Sequence, residues 1–471
     1  MNLKIYSLIA AGAFVLSVQT GCKKDFLDKN PINQVTADQA FTTAAAAEKL
    51  IQGAYDGRYN DYNIWDYQVN GDVKSDNCYA GGDNQANIQI DLFTPNATNG
   101  NVSRDWSALY IDIKNANEVL ENVPNINDAA LDAGGRRNQI LAEARGLRAY
   151  AYFNLVRLFG PVPLILKTPS SIAETQPSKA TADAVYAQII SDLEFAATNA
   201  QTTAVNKGIF TKGAANALLA KVYASQATPD WTKVNTYCDA TIANGYTLFG
   251  SFSGLFDEAN ENNSESIWEM QFDGSQHSNW MPGVIVGTGW KRFDTPTNDL
   301  SAAYDAEGDV IRKNASISFR DVSSDGWSDN YWPKTKYPFV NKYRADTKSN
   351  IYTLRLADIL LLKAEALNEI SGSGWSQSKV IVDQIRKRVS LAGTPAADQA
   401  SMRLAIEKER RLELAFEGHR WFDLLRTNRA ITVMNAQKDG SGTSLNYNVT
   451  AAKLYFPIPQ AEVDRNPNIN K

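Results

Sequence analysis

The chain has 471 residues, of which 44% are hydrophobic and 21% charged, and its formal net charge is −5. A mildly acidic chain lacks the basic surface that nucleic acid requires, which argues against nucleic acid as a partner. Three cysteines are too few for a disulfide-built scaffold. The spacing of the cysteines and the two histidines matches no zinc motif. The sequence therefore predicts no metal site and no cofactor.

The N-terminal segment has the pattern of a cleaved signal peptide. Lys4 supplies a positive charge, and the apolar run 8–18 is far shorter than the roughly 20 residues that a membrane-spanning helix needs. A small residue precedes Cys22, as in a bacterial lipobox, whose cysteine is acylated and becomes the new N-terminus. We expect removal of residues 1–21 and attachment to membrane lipid through Cys22. The alternative is an ordinary signal peptide with an unrelated cysteine.

Helical periodicity marks two large parts of the remaining chain. Thr36 and Gln39 have the spacing of a capping box before an Ala-rich helix. In 137–159, apolar residues recur at spacings of three and four until Gly160 and Pro161 end the pattern. Further helices are predicted at 104–122, from about 181, from about 211, and at 230–244, 353–370, 376–390 and 400–417.

Alanine is frequent on these predicted helices and lets helix axes approach closely, as stacked helix pairs require. The pattern favours a mainly α fold of tetratricopeptide-like helix pairs, although no strict 34-residue repeat is present. We assign 22–57 and 103–245 to an N-terminal helical scaffold. Residues 351–471 form a C-terminal helical scaffold and a closing segment.

Two regions, 58–102 and 246–350, lack helical periodicity and are rich in turn-forming residues. Five of the ten tryptophans lie within 263–345, and such aromatic content argues against disorder. Long irregular segments in ordered proteins are commonly functional. We therefore predict that both regions build one loop-rich, ligand-binding subdomain resting on the helices.

Six stretches match, in order, the motifs of one known family. They are KKDFLD after Cys22, AEARGLRAYAYFNLVRLFGPVPL from residue 142, TKGAANALLAKVY from 211, LRLADILLLKAEALNE from 354, ERRLELAFEGHRWFDLLR from 409 and LYFPIPQAEVDRNP from 454. In these stretches the chain resembles the SusD/RagB group of outer-membrane nutrient-binding lipoproteins. The resemblance covers the mature chain from end to end.

This resemblance implies tetratricopeptide-like helix pairs that cradle an irregular subdomain. It also implies capture of oligosaccharides at the cell surface and their delivery to a TonB-dependent, SusC-like outer-membrane transporter. The run Lys23-Lys24-Asp25 is similar to surface-export signals of such lipoproteins, so we expect the protein to face the cell exterior. Some relatives in the group handle peptides, and the same fold binding peptides is an alternative.

The charged stretch 409–426 admits a structural and a catalytic interpretation. Its acidic and basic residues are suited to partly buried ion pairs that fix how two helices meet. The catalytic alternative makes Glu417 or Asp423 an acid–base residue with His419, as in a surface-anchored glycoside hydrolase. No motif of a known hydrolase supports it, and we predict a non-enzymatic protein without catalytic residues.

The aromatic loops suit sugar binding because pyranose rings stack their flat C–H faces on aromatic rings, while their hydroxyls need polar partners. The alternative places most of these tryptophans in the core. Outside the family motifs, we select as candidate sugar-binding residues those aromatic and polar residues that lie together in turn-forming segments. We add Arg320, whose guanidinium can donate two hydrogen bonds to neighbouring hydroxyls of a sugar. The candidates are Trp65, Asp76, Asn77, Tyr79, Trp280, Arg320, Trp327, Tyr331 and Trp332. Local chemistry leaves open whether Cys78 and Cys238 form a disulfide.

Overall fold

The computed structural model describes residues 41–285, 291–325, 329–343 and 347–470. The chain divides into Met1–Thr42 and a compact unit, Thr43–Lys471, that holds the described helices and strands. This unit is mainly helical, which confirms the predicted fold class. Cys22 and Trp327 lie outside the described residues.

Three of the N-terminal helices begin at threonine caps. Thr43, Thr181 and Thr211 each accept a hydrogen bond from the backbone N–H three residues further along. The capping box predicted at Thr36 lies outside the described residues. In chain order the described helices are α1 Ala44–Asp56, α2 Gln85–Asp91, α3 Gly100–Asn122, α4 Arg136–Phe159, α5 Ala182–Asn199, α6 Lys212–Ser225 and α7 Trp231–Ile242.

Helices α3 to α7 pack successively, each against the next, and α1 lies on α3 and α4. Small residues permit this close packing. Ala214, Ala217 and Ala220 on α6 are fully buried, and a Cβ atom added to Gly146 of α4 would lie 2.3 Å from the Phe210 ring. Helix α4 is followed by Gly160 at φ 73°, a positive φ that glycine adopts more readily than other residues.

The C-terminal helices extend this layer, because α11 (Leu356–Ile370) packs against α7, α12 (Trp375–Arg388) and α13 (Gln399–Glu413). Helix α13 was predicted to reach residue 417 but ends at Glu413. The carbonyl oxygens of Glu413 and Ala415 accept hydrogen bonds from Lys342 Nζ, and Phe416 adopts φ 66°, so the chain leaves the helix there. The helices that follow are α14 Arg420–Arg426, α15 Ala430–Asn435 and α16 Gln460–Arg465.

Short strands and helical turns fill the two regions without helical periodicity. The described strands form three two-stranded antiparallel sheets: β1 Cys78–Tyr79 pairs with β3 Thr295–Pro296, β2 Ser266–Met270 with β6 Ile351–Arg355, and β4 Ile317–Arg320 with β5 Tyr337–Val340. Region 58–102 contains more helix than expected, including buried π-helical segments at Tyr62–Asp66 and Val69–Val73. The described α-helices of region 246–350 are α8 Met281–Ile285, α9 Asn298–Glu307 and α10 Val310–Ser316.

A shared hydrophobic core joins these regions to the scaffold. Ile64 and Val69 from the π-helical segments pack in one cluster with Met270 of β2 and with Leu412 and Phe416 at the end of α13. Loops and helices are therefore parts of one folded unit.

Two sequence questions are answered by the described residues. Cys78 and Cys238 are both buried and free, so they do not form a disulfide. In the part of the chain that the structure describes, no helix combines the length and apolarity needed to cross a membrane.

Candidate functional site

An aromatic cluster forms where the β4–β5 hairpin meets the β1–β3 ladder. The Tyr79 ring stacks on the Tyr331 ring with centroids 4.1 Å apart and an interplanar angle of 14°. Trp332 packs edge-on against Phe319, with centroids 5.8 Å apart. We call this set the hairpin cluster; its members are Tyr79, Phe319, Tyr331, Trp332, Tyr337 and Phe339.

Asp329 connects the rings of the hairpin cluster by hydrogen bonds. It accepts from the hydroxyls of Tyr79 at 3.0 and 3.1 Å and of Tyr337 at 2.7 Å, and from the Tyr331 backbone N–H at 3.0 Å. Burial raises the pKa of Tyr79 well above its usual value, so its hydroxyl remains a proton donor at neutral pH. The carboxylate thereby fixes the ring orientations.

The exposed part of the cluster comes from the hairpin tip and its edge. Tyr331 and Trp332 are half-buried, and the indole N–H of Trp332 donates to Pro296 O at 2.9 Å, which fixes the indole. The exposed Arg320 guanidinium lies over the Phe339 ring, with Cζ 3.8 Å from the centroid. The rings of Tyr331 and Trp332 and the guanidinium N–H donors of Arg320 are therefore neighbours on this surface.

Trp280 is 40% exposed and stands on a loop that is anchored through the preceding residue, Asn279. The Asn279 side chain donates to Ser349 O at 2.7 Å, and its backbone N–H donates to Thr347 O at 2.8 Å. These two bonds tie the loop to the segment that leads into β6. Among the described residues, Trp280 has no ring partner, so its indole is a separate exposed platform.

A backbone hydrogen bond links the Trp280 loop to the segment beside the hairpin cluster. Helix α8 follows Trp280 directly, and Val284 O of that helix accepts from the Phe293 backbone N–H at 3.2 Å. The residue before Phe293 is Arg292, whose guanidinium carbon lies 4.6 Å from the Tyr337 ring centroid. Both exposed aromatic sites therefore belong to one continuous part of the loop-rich region.

Four of the predicted site residues lie inside the protein. Trp65 is 5% exposed, and the Arg104 guanidinium carbon lies 4.8 Å from its ring centroid. Asp76, Asn77 and Tyr79 are 2%, 1% and 6% exposed. In this structure these four residues support the loop-rich region from within.

Asp76 and Asn77 have internal partners that explain their burial. Arg420 donates to both carboxylate oxygens of Asp76 at 2.7 and 2.9 Å, and Arg411 donates to Asn77 Oδ1 at 3.0 Å. Although burial alone would raise it, the charges of Arg411 and Arg420 lower the pKa of Asp76 to about 2. These contacts connect the segment before β1 to α13 and α14.

Sequence reasoning did not select Asp329, Tyr337 or Lys438 for the site. Asp329 stands in the same polar turn as Tyr331, so its position near the aromatic residues was the available signal. Tyr337 begins a strand, and its sequence neighbours gave no signal of a role in the site. Lys438 accepts a hydrogen bond from the Tyr331 hydroxyl through its backbone oxygen at 3.3 Å, a contact across 107 residues that no local pattern indicates.

The charged C-terminal stretch is part of the interior. Arg355 donates to carboxylate oxygens of Glu265, Glu413 and Glu417 at 2.6 to 2.8 Å. Although burial alone would raise it, Arg355 and a neighbouring lysine lower the pKa of Glu417 to about 2. Burial lowers the pKa of His419 to about 3, so the imidazole is neutral at pH 7. This arrangement supports the structural interpretation of the stretch.

A layer of helix pairs that presents rings and hydrogen-bonding groups on loops defines a ligand-binding protein on a helical-repeat scaffold. Two family models match successive parts of the chain. Residues 285–471 match the SusD family, and residues 25–224 match a family described as starch-binding and associating with the outer membrane. The chain belongs to the SusD/RagB family.

Known proteins of this family resemble the chain over nearly its whole length. SusD-like protein P2 of Formosa agariphila is 27% identical, and the alignment covers 97% of each chain. A solved structure of a laminarin-binding SusD-like protein is 27% identical, with a TM-score of 0.77 over 91% of this chain and 99% of that one. Surface glycan-binding protein A from Bacteroides uniformis shares the fold, with 24% identity, a TM-score of 0.75 and coverage of 90% and 98%.

Proposed function

We propose that this protein is a non-enzymatic glycan-binding lipoprotein of the cell surface. In this proposal, the half-buried rings of the hairpin cluster, Tyr331 and Trp332, stack on sugar rings together with Trp280, while Arg320 donates hydrogen bonds to hydroxyls. The half-buried, hydrogen-bonded indole of Trp332 is the observation that carries the proposal, because a ring fixed in place loses little freedom on binding. The laminarin-binding and glycan-binding names of two relatives support the ligand class.

Isothermal titration calorimetry with a panel of oligosaccharides, including laminarin fragments, tests the ligand class. We expect Trp332→Ala and Trp280→Ala to weaken binding of the best oligosaccharide by about tenfold or more, which corresponds to about 1.4 kcal/mol. Tyr237→Ala is the matched control, because Tyr237 is a half-buried ring on the scaffold that stacks on Tyr223. Binding of peptides and of no glycan would contradict the proposal.

The proposal also excludes hydrolysis of the captured glycan. Incubation of the purified protein with each polysaccharide that it binds should release no new reducing ends. Release of reducing ends by the wild type, together with no release by Glu417→Gln, would favour the hydrolase instead.

We further propose that acylated Cys22 tethers the protein to the outer membrane and that it delivers oligosaccharides to a SusC-like, TonB-dependent transporter. The family description, which names association with the outer membrane, supports this location. Cys22→Ala should shift the protein from the membrane fraction to the soluble fraction and abolish labelling by a fatty-acid analogue. Co-purification of the wild-type protein with the transporter tests the pairing, and repeated failure of the two proteins to associate in detergent would contradict it.

A further inference from the structure

Arg157, near the end of α4, is buried between two aromatic rings. The residue is 6% exposed. The guanidinium carbon lies 3.9 Å from the Phe153 ring centroid and 4.0 Å from that of Phe422. Both flat faces of the guanidinium are therefore covered, and a further hydrogen-bond acceptor can approach only in its plane.

The hydrogen-bond partners of Arg157 are neutral. Its Nε donates to Phe153 O at 3.2 Å, and its Nη2 donates to Asn154 Oδ1 at 2.5 Å. The Tyr67 hydroxyl is a further polar neighbour. Within the described ranges, no carboxylate forms an ion pair with this guanidinium, although burial of an unpaired charge is costly.

The ion-pair network beside Arg157 contains as many cations as carboxylates. Arg410 bridges two carboxylates at 2.7 and 2.8 Å, and Arg426 bridges two at 2.7 and 2.9 Å. Each of the three cations in this network is matched by one carboxylate, which leaves the Arg157 charge in excess. The members are the cations Lys221, Arg410 and Arg426 and the carboxylates Asp358, Glu365 and Asp423.

The excess charge lies at the wall of a cavity of about 290 Å³. The ends of α4 and α6, the start of α5 and part of α14 form this cavity, and Gln226, Asn428 and the 44% exposed Tyr455 add polar groups. Asp183 also lines it but is exposed, so solvent screens its charge. A smaller void of about 20 Å³, also lined by Arg157, adjoins the ion-pair network.

We propose that this cavity binds a small oxyanion, such as a carboxylate, sulfate or phosphate group, through the in-plane edge of Arg157. A planar guanidinium binds such groups with two parallel hydrogen bonds, and an oxyanion supplies the missing negative charge. The volume of about 290 Å³ admits a small anion or a short anionic fragment. The cavity shares no residue with the hairpin cluster, so this site is independent of the proposed glycan surface.

Two measurements on the full-length folded protein test the site. Crystals soaked in selenate should show an anomalous peak beside Arg157. In solution, sulfate, phosphate and acetate should raise the thermal unfolding midpoint relative to chloride at equal ionic strength, because a ligand that binds the folded state stabilises it. Comparing the three anions identifies the preferred group.

Three variants separate specific binding from a general salt effect. Arg157→Gln removes the guanidinium, and Ala227→Trp fills the cavity from an exposed lining position while leaving Arg157 in place. Both should lose the anion-dependent shift and the selenate peak. Arg465→Gln removes an arginine whose side chain is 75% exposed and should keep both.

If Arg157→Gln does not fold, Ala227→Trp still tests whether the anion binds in the cavity. An anion-dependent shift of equal size in the wild type and in Ala227→Trp, or a selenate soak without a peak in the cavity, would overturn the proposal.

Discussion

Removal of the Arg355 guanidinium should strongly destabilise the fold, because this group holds three buried carboxylates together. Arg355 makes four hydrogen bonds to side-chain oxygens of Glu265, Glu413 and Glu417 and a fifth to Glu413 O at 2.8 Å. Arg355→Met fills similar space but leaves these carboxylates with one fewer cation. Loss of one partner from a buried ion-pair network costs about 3–5 kcal/mol, and we expect a decrease of that size in the free energy of unfolding.

Urea unfolding followed by circular dichroism measures this change, provided that the slope of the transition is the same in both proteins. Arg403→Gln is the matched control, because the Arg403 side chain is 54% exposed and pairs with Glu369 at 2.7 Å. An exposed pair contributes at most about 1 kcal/mol. Equal, small effects of both substitutions would refute the structural interpretation of this network, and a selective loss of ligand binding without loss of stability would assign Arg355 to a functional site.

Three further predictions concern single contacts. Burial lowers the pKa of Lys74 to about 7 from an unfolded value of about 10.4, so the unfolded chain binds more protons between these values and stability should rise with pH there. Lys74→Met should remove this rise, measured by urea unfolding between pH 7 and about pH 10. The same dependence of the free energy of unfolding on pH in the wild type and in the variant would contradict the prediction. Gly146→Ala should lower the free energy of unfolding by about 1–3 kcal/mol, since the new methyl group would overlap the Phe210 ring, and a gain in stability would contradict the packing. Tyr79→Phe should cost about 1–2 kcal/mol in the same assay, because Asp329 loses a hydroxyl donor, and no change would indicate that water replaces it.

The scaffold could be predicted because its signals are local. Apolar spacing and the Gly160 end signal placed one helix at 137–159, and the structure has it at Arg136–Phe159. The error at the end of α13 has a non-local cause. Lys342, more than 70 residues away, binds the carbonyl oxygens that a continuing helix would need.

The orientation of the candidate site residues could not be predicted, since it depends on distant contacts. Trp65 and Trp332 both stand among polar, turn-forming neighbours in the sequence. Trp65 lies in a buried π-helical segment because Arg104 and Phe293 cover its ring. Trp332 remains half-buried because its N–H is held at the edge of the β1–β3 ladder by Pro296 O. None of these three partners is near in sequence to the ring that it contacts.

The distribution of these contacts explains how a helical scaffold can present a specific loop surface. Asp329 receives hydroxyl donors from both β1 and β5, and the Tyr331 hydroxyl reaches the backbone of Lys438 in the C-terminal part of the chain. Loops anchored to several elements lose less conformational entropy when a ligand binds than loops anchored only at their ends. The same anchoring implies that ring substitutions at the surface change affinity with little effect on stability, whereas substitutions at Asp329 change both. Calorimetry and urea unfolding of Asp329→Asn and of Trp332→Ala test this separation, and equal losses of stability in the two variants would contradict it.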